Sequence, residues 1–417
     1  MKTKLIIIAT ILVLSCPELL KAQTWEYVNT LKTNEWLGKA YTKGLDTVFV
    51  VGYNGLIARS ANRTLTWTKQ YPVNTQLNDI FFTNHQTGFT VGNNGVILKT
   101  TNSGDTWTPI SSGTNKNINA IAGAGLNNIW AVGDSGLVVQ SVDTGKTWIT
   151  KDLMPNNKQL NDIKFNGIIG YIAGNDGTVL KTSNAGNSWE NDNINWTPEN
   201  GSVSTFAVRS LSITNNKLFA LLYDYAYGTL IFSDGYGTWS KSKDSYGRSI
   251  IAGSIYFIDD NQGYYAAYDW TTGSGFKIWI YKTTDGGQNW EETTINNYSG
   301  SINQFSNFSF NSDHSYGYFV CGNIMLRTPY TGDFTSGLNC IKSDSQTLQV
   351  KQQGNELHIS SLSKSISDID FFSLTGSTIC QQNNKVFDIH QIPPGVYLIR
   401  ATYTDNSKSN LVKWIKH

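Results

Sequence analysis

The sequence has few charged residues, and those of opposite sign nearly balance. Only 15% of the 417 residues are charged, and 32 lysines and arginines stand against 31 aspartates and glutamates, for a net charge of +1. No long basic run occurs, so the composition predicts no nucleic-acid partner and no attraction to an anionic membrane surface. Aromatic residues make up 12% of the chain, and this apolar content predicts a large folded core rather than disorder.

Cysteine is also scarce. The chain has four cysteines, of which Cys16 falls in a predicted leader, so Cys321, Cys340 and Cys380 remain. Three thiols allow at most one internal disulfide, for which Cys321 and Cys340 are the candidate pair. No CxxC pair and no cysteine–histidine spacing typical of a metal site is present. The sequence therefore predicts no metal and no cofactor.

Long apolar runs are absent except near the N-terminus. There a basic start precedes ten apolar residues, 5–14, a stretch too short to span a bilayer. Ala22 offers a small residue at a cleavage site, so residues 1–22 are predicted to be a signal peptide and the mature chain to begin at Gln23. The alternative is a lipoprotein box at residues 13–16, whose second residue, a leucine, fits that motif poorly.

A repeat with a period of 40 to 51 residues runs through most of the chain. Each copy ends in a tryptophan that follows an Asp or Asn by five positions, and most copies carry a glycine three positions before the tryptophan. Thr64 and Tyr236 are the exceptions to the glycine rule. Because Asp and Asn bind backbone N–H groups just downstream and glycine permits a positive φ, this segment predicts a fixed turn followed by a strand. The tryptophans are Trp67, Trp107, Trp148, Trp189, Trp239 and Trp290.

Upstream of each such turn the pattern predicts three more strands. In one copy, residues 79–82 form the first strand, and a second strand leads into the tight turn marked by Gly92 and Gly95. The apolar residues 96–98 then form the third strand. Four strands in a repeat of this length are typical of one blade of a β-propeller. The matching glycine pairs are Gly52/Gly55, Gly133/Gly136 and Gly174/Gly177.

The strand count predicts an all-β, seven-bladed propeller that closes on itself. Trp25 ends a copy of the repeat whose beginning is missing, and residues 322–328 form a third strand whose own turn is incomplete. We therefore predict that residues 24–30 lie beside residues 322–328. This arrangement would remove an open sheet edge, which is a common site of aggregation.

The turn segments resemble the Asp-box (BNR) repeat, and Ser141-Val142-Asp143-Thr144-Gly145-Lys146-Thr147-Trp148 is the clearest copy. The arrangement, with a glycine pair before each box, is most similar to propellers of the photosystem II stability/assembly-factor type. This resemblance covers residues 24–335 and implies a fold rather than a reaction. It also implies that the box is a structural turn, so no box residue is expected to be catalytic.

The C-terminal residues form a different domain, in which the repeat stops. Gly395 and Tyr397 follow a short predicted strand, and Lys413 and Lys416 flank a final apolar strand. These features resemble the type IX secretion C-terminal sorting domain of Bacteroidetes. The resemblance implies a small β-sandwich that the type IX secretion machinery recognises; an ordinary adhesive β-sandwich is the alternative.

The predicted organisation follows from these segments. A signal peptide (1–22) precedes a propeller (23–335), a linker (336–347) and a sorting domain (348–417). The two ends together predict Sec export to the periplasm and then transfer to the outer cell surface or the medium. No transmembrane segment is predicted.

Catalytic motifs are missing from the propeller. It has no G-x-S-x-G, H-E-x-x-H or phosphate-binding loop, and Asp259-Asp260 is its only pair of adjacent aspartates, in a position typical of a turn. Arg59 and Arg327 share a repeat position with Lys99, which indicates a scaffold role. A glycan-processing hydrolase of sialidase-like propeller type is the alternative function, and we predict no catalytic residue.

Ligand binding is the favoured function. The repeats ending at Trp239 and Trp290 are longer than the others and rich in tyrosine and tryptophan, which provide contact area with a polar group at low entropic cost. The sequence predicts a surface there that binds a glycan or a protein. Its candidate residues are Tyr225, Tyr268 and Trp270.

Overall fold

The structure is a computed structural model, and it divides the chain into two compact units, residues 1–331 and 332–417. The residues that it describes are 24–153, 157–192, 194, 206–223, 228–233, 239–241, 250–269, 277–296, 306–311, 314, 316–328, 348–353, 356–361, 366–373, 378–382, 386–388, 395–404 and 412–416.

The described residues of the first unit begin with β1 (Thr24–Tyr27) and continue into six antiparallel sheets, each built from four consecutive strands. We call these sheets blades 1 to 6. Blade 1 has β2 (Leu37–Lys43), β3 (Thr47–Gly52), β4 (Ile57–Ser60) and β5 (Thr68–Gln70). Blade 2 has β6 (Leu77–Phe82), β7 (Gly88–Gly92), β8 (Ile97–Thr100) and β9 (Thr108–Ile110). Blade 3 has β10 (Ile118–Gly123), β11 (Ile129–Gly133), β12 (Val138–Ser141) and β13 (Ile149–Thr150).

The next three blades follow the same plan. Blade 4 has β14 (Leu160–Asn166), β15 (Ile169–Gly174), β16 (Val179–Thr182) and β17 (Glu190–Asn191). Blade 5 has β18 (Ala207–Ile213), β19 (Leu218–Tyr223), β20 (Gly228–Ser233) and β21 (Trp239–Lys241). Blade 6 has β22 (Ile250–Phe257), β23 (Gly263–Asp269), β24 (Lys277–Thr283) and β25 (Glu291–Glu292).

A different sheet closes the ring. It contains β26 (Thr294–Asn296), β27 (Ser306–Phe310), β28 (Gly317–Cys321) and β29 (Ile324–Arg327), in the order β26-β1-β29-β28-β27. The innermost strands contact one another in a circle, from β2 through β6, β10, β14, β18 and β22 to β27, which contacts β2.

The prediction of a seven-bladed propeller is therefore wrong, since the part of the chain that the structure describes has six blades. Among the described residues, six sheets are blades of the predicted four-stranded kind, and the closing sheet has five strands with mixed pairing. The difference arises because the last repeat lacks a complete turn and fourth strand of its own. The N-terminal strand β1 and the strand that follows blade 6, β26, complete it instead.

The predicted closure by the N-terminus is confirmed. Strand β1 runs antiparallel to β29, with Glu26 opposite Arg327 and Tyr27 opposite Leu326. The Val28 N–H then donates to the Met325 carbonyl at 2.8 Å. On its other side β1 runs parallel to β26, a pairing that the sequence did not predict. The N-terminal strand is thus an interior strand of the closing sheet.

The hydrophobic core lies between adjacent blades. The second strands β7 and β11 are buried at every position, because neighbouring blades cover both of their faces. The fourth strands of blades 3 and 4 are exposed throughout. The innermost strands, in turn, line the central axis of the propeller.

Asp143 shows how the repeated turn is held. Its Oδ1 accepts the backbone N–H groups of Lys146 and Thr147, both at 2.9 Å, and its Oδ2 accepts the Thr147 hydroxyl at 2.7 Å. These hydrogen bonds from Thr147, with those from Lys146 and Ser141, hold the pKa of Asp143 well below its usual range. The described turns thus have the structural role expected from the sequence.

The described residues of the second unit form two separate sheets. One contains β30 (Leu348–Gln353), β31 (Glu356–Ser361) and β34 (Val386–Asp388). The other contains β32 (Ile366–Ser373), β33 (Thr378–Gln382), β35 (Gly395–Tyr403) and β36 (Val412–Lys416). The predicted β-sandwich is corrected to these two sheets, because alternating short strands specify strand formation but not which faces pack together.

Within the described part of the chain, no helix has the length and apolar character needed to cross a bilayer.

Candidate functional site

The innermost strands surround a central channel with a volume of about 720 Å³. Every blade and the closing sheet contribute to its lining, so the channel is a property of the whole ring. In blades 1 to 6 the innermost strand carries an irregularity in its pairing near its first residue. A bulge of this kind redirects a side chain, and here it sets the residues at one mouth of the channel.

Asparagine side chains link blades 2, 3 and 4 at that mouth. Asn78 donates to Asn93 in its own blade at 3.0 Å and to the Ile118 carbonyl of the next blade at 2.8 Å. Asn119 and Asn161 make the equivalent pairs of hydrogen bonds. An amide that is satisfied by two scaffold acceptors has little capacity left for a ligand, so these asparagines connect blades.

Two buried carboxylates lie further along the channel wall, and both are engaged by the scaffold. Asp79 accepts the N–H of Ile80 at 2.8 Å and, across the blade boundary, the N–H of Ile121 at 3.0 Å. Asp162 accepts the N–H groups of Ile163 and Leu211 at 3.0 and 2.9 Å. Each carboxylate therefore joins one blade to the next.

Lysines neutralise these carboxylates. Lys39 lies 3.6 Å from Asp79, and Lys164 pairs with Asp162. Burial alone would lower the pKa of Lys39, but the negative charges of Asp79 and Asp162 outweigh it and raise that pKa above its ordinary value. A two-carboxylate hydrolase needs one carboxyl group that carries a proton and another that is free to act. Carboxylates tied to backbone N–H groups and lysines do not supply that pair.

The residues that the sequence analysis assigned to the scaffold make structural contacts. Arg59 pairs with Asp105 in the turn of the next blade, and Arg327 contacts Thr64 and Glu26. Asp259 accepts the N–H groups of Asn261 and Gln262 at 2.8 and 2.7 Å, as a turn residue does. The interpretation of these residues as structural is confirmed.

The structure describes only part of the predicted ligand surface. Tyr225 and Trp270 lie outside the described residues. The backbone of Tyr268 belongs to β23, paired with Ile251 and Ile278, and its side chain is outside the described set. The surface on blades 5 and 6 stays a prediction. Among the described residues, no group of three or more His, Cys, Asp or Glu is placed to hold a metal ion.

The sequence analysis missed an aromatic pair on blade 1, in the turn that corresponds to the turns at the channel mouth in blades 2, 3 and 4. Trp36 is 39% exposed, and its ring centroid is 5.6 Å from that of Tyr53 at an interplanar angle of 62°. Beside it, Asn54 donates to the Glu35 carboxylate at 2.8 Å. Comparing the residue before each innermost strand would have found it, since Gln76, Asn117 and Gln159 stand at the corresponding positions.

Lys43, at the far end of β2, provides a pH-dependent contribution to stability. Its ammonium group lies 4.8 Å from the Phe82 ring centre and donates to the His85 carbonyl at 3.1 Å. Burial, followed by the nearby positive charge of Arg59, lowers the pKa of Lys43 from 10.5 to about 8. The folded state thus disfavours the charged lysine.

We expect the free energy of unfolding to rise with pH between about 8 and about 10.4 because of Lys43. Below that window both states carry the proton and the folded state bears the full cost of the buried charge. Within it the folded protein has released the proton while the unfolded chain keeps it, so folding is favoured; above it the gain is constant. Urea midpoints measured against pH check this.

The control is Lys43→Met, which keeps the aliphatic length and removes the titration. As the pH rises from about 8 to about 10.4, the urea midpoint of the wild type should increase relative to that of the variant. Parallel curves for the two proteins would contradict the assignment to Lys43.

Comparison with known proteins finds a match to BNR-type repeats in part of the first unit. Residues 58–148 and 102–199 match a family model described as photosynthesis system II assembly factor YCF48. No curated protein matches the chain.

Solved structures resemble the chain in fold. A structure described as YCF48 bound to D1 peptide is 17% identical, covers 71% of this chain and 92% of its own, and has a TM-score of 0.54. YCF48 from Cyanidioschyzon merolae is 15% identical, with coverages of 73% and 98% and a TM-score of 0.55. The GH74 xyloglucanase from Xanthomonas campestris is 12% identical, with coverages of 72% and 53% and a TM-score of 0.58. At these identities the likeness concerns the β-propeller fold alone.

Proposed function

We propose that this chain is an exported, non-catalytic propeller that binds a glycan or a protein at the outer cell surface or in the medium. The observation that carries the proposal is the engagement of Asp79 and Asp162 by scaffold N–H groups and lysines. The channel therefore has charged groups that stabilise the ring, while exposed aromatic residues at its mouth remain available for contact.

Similar propellers support a binding role. One of the solved structures that resembles this chain is described as bound to a peptide, so a fold of this kind can present a surface to a ligand. The hydrolase alternative draws on the xyloglucanase, which shares the fold at 12% identity. One scaffold hosts many functions, and the engagement of the channel carboxylates by the scaffold supports binding.

Catalysis and binding can be separated by experiment. We expect the purified full chain to release no reducing ends from neutral or sialylated glycans over long incubation, and to retain a ligand in a pull-down from glycan or surface-protein fractions. Release of reducing ends that Asp162→Asn abolishes would overturn the non-catalytic assignment.

The proposed destination rests on the two ends of the chain. The C-terminal unit would direct export through the type IX secretion machinery after Sec transport. In a host with that machinery, the full chain should reach the medium or outer surface, and a chain lacking residues 338–417 should accumulate in the periplasm. Quantitative proteomics of the three fractions measures this, and equal export of both chains would contradict it.

A further inference from the structure

The four regular turns at the channel mouth share a backbone hydrogen bond that makes their positions comparable. In blade 1 the Tyr53 N–H donates to the Trp36 carbonyl at 2.9 Å. The corresponding bonds join Asn93 to Gln76, Asp134 to Asn117 and Asn175 to Gln159, at 2.9, 3.0 and 2.9 Å. This bond uses only backbone atoms, whereas the side chains of Asn93, Asp134 and Asn175 accept further hydrogen bonds from the asparagines that link the blades.

Blades 2, 3 and 4 have polar residues at these positions, and blade 1 has aromatic ones. Where those blades pair an amide residue with Asn93, Asp134 or Asn175, blade 1 has Trp36 and Tyr53. The asparagine that links neighbouring blades is also replaced, by Gly38, where a Cβ atom would lie 2.7 Å from the Leu77 carbonyl oxygen. Blade 1 therefore keeps its two rings outside the side-chain hydrogen bonds that Asn93, Asp134 and Asn175 accept in the next three blades.

The turn that carries the pair is rigid. A Cβ atom on Gly52 would lie 2.2 Å from the Trp36 carbonyl oxygen, so the backbone there is closely packed. The Glu35 N–H donates to the Thr33 hydroxyl at 3.1 Å, which fixes the approach to Trp36. A platform that is already ordered loses little conformational entropy on binding.

The exposed groups around the pair are those that a sugar needs. Trp36 is 39% exposed, and the described residues provide no hydrogen-bond partner for Trp36 Nε1 or the Tyr53 hydroxyl. The Glu35 carboxylate and the Asn54 amide lie beside them, joined by one hydrogen bond of 2.8 Å. An apolar ring face packs against the C–H groups of a pyranose, while acceptors and donors at its edge bind hydroxyl groups.

We infer that Trp36, Tyr53, Glu35 and Asn54 form a binding platform for a neutral oligosaccharide. The inference rests on the proposed function, because it assigns a ligand class to a binding propeller. A protein partner fits less well, since an ordinary protein interface covers roughly 800 Å² on each side and this platform is two rings framed by polar groups. A single sugar ring matches its size.

The test uses variants that the repeat itself shows to be compatible with the fold. Trp36→Gln introduces the residue found in blades 2 and 4, and Tyr53→Asn does the same at the partner position. The full chain is titrated with cellohexaose, xylohexaose, mannohexaose and N-acetylchitohexaose, and binding is followed by calorimetry and by tryptophan fluorescence.

At least one of these oligosaccharides should bind the wild-type chain, and Trp36→Gln should weaken that binding about tenfold or more. Trp36→Phe should retain more affinity than Trp36→Gln, because it keeps an aromatic face. The matched control is Gln76→Ala, at the equivalent position of blade 2, which should bind as the wild type does.

The outcomes separate this inference from the proposed function. Equal binding by wild type and Trp36→Gln overturns the platform while leaving the binding function intact. Failure of all four oligosaccharides to bind, or loss in Trp36→Gln of a protein ligand instead of a glycan, also overturns it. Release of reducing ends in the same samples would count against the proposed function itself.

Discussion

Replacing Trp25 with alanine should lower the free energy of unfolding by about 3–5 kcal/mol. Trp25 is fully buried and packs against Tyr264, Phe308 and Phe310 at centroid distances of 6.0, 5.7 and 6.4 Å. Truncation would leave a cavity at the boundary between blade 6 and the closing sheet, in addition to removing the buried apolar surface of the indole. Urea unfolding of the purified chain measures the loss.

The position of β1 explains why a residue at the end of the unit carries so large an effect. Terminal residues usually contribute little because they fray. Here β1 is hydrogen-bonded on both sides, to β29 and to β26, so its loss would leave two sheet edges unpaired. Loosening it should therefore also open the ring to proteolysis between the first and last strands.

The control for Trp25→Ala is Trp36→Gln, which changes the same residue type at an exposed position. Its cost should stay within about 0.5 kcal/mol, as for surface substitutions that leave the backbone bonds intact. Trp25→Phe should recover part of the stability if Trp25→Ala yields too little folded protein. Comparable unfolding midpoints for Trp25→Ala and Trp36→Gln would show that β1 does not close the ring.

Features with a local chemical cause could be predicted from the sequence. Asp143 and Gly145 specify their turn through hydrogen bonds and a positive φ of 72°, and both requirements can be read from residue type. The closure by Trp25 was also predictable, because an incomplete repeat at one end matched a missing strand at the other. These cases need no knowledge of distant contacts beyond the count of strands.

Features that depend on a single distant pairing were not predictable. Strand β26 has three residues and pairs in parallel with β1, and so short a segment has no periodicity to detect. For that reason the last sheet was expected to copy the others, whereas it has five strands.

The aromatic pair at the channel mouth was missed for another reason. The conspicuous tryptophans of the sequence belong to the repeated turns, and Trp36 stands outside that series. The backbone bond from Tyr53 to Trp36 and the start of β2 at Leu37 show that this residue occupies the place held by Gln76 in the next blade. The comparison between blades, rather than any motif, makes it a candidate.

Replacing Gly186 with alanine should destabilise the propeller by about 2–4 kcal/mol, the combined cost of a strained backbone and overpacking. Gly186 has a φ of 89°, and a Cβ atom there would lie 2.2 Å from Cζ2 of Trp130 in the preceding blade. Trp130 is fully buried and stands edge-on to Trp189 at 5.5 Å. It has no space into which to move, so the two blades would have to separate.

Gly167→Ala separates the two causes. Gly167 also has a positive φ, 61°, but a Cβ atom there would meet nothing within 4 Å, so its alanine variant bears the backbone strain alone, about 1 kcal/mol. The difference in unfolding free energy between the two variants then measures how tightly one blade packs against the next. Equal losses would mean that the turn glycine is needed only for its backbone conformation. A clearly larger loss of unfolding free energy for Gly186→Ala would show that the turn packs closely against Trp130 of the preceding blade. This contact would then set the spacing between the two blades, and with it the width of the channel at the axis.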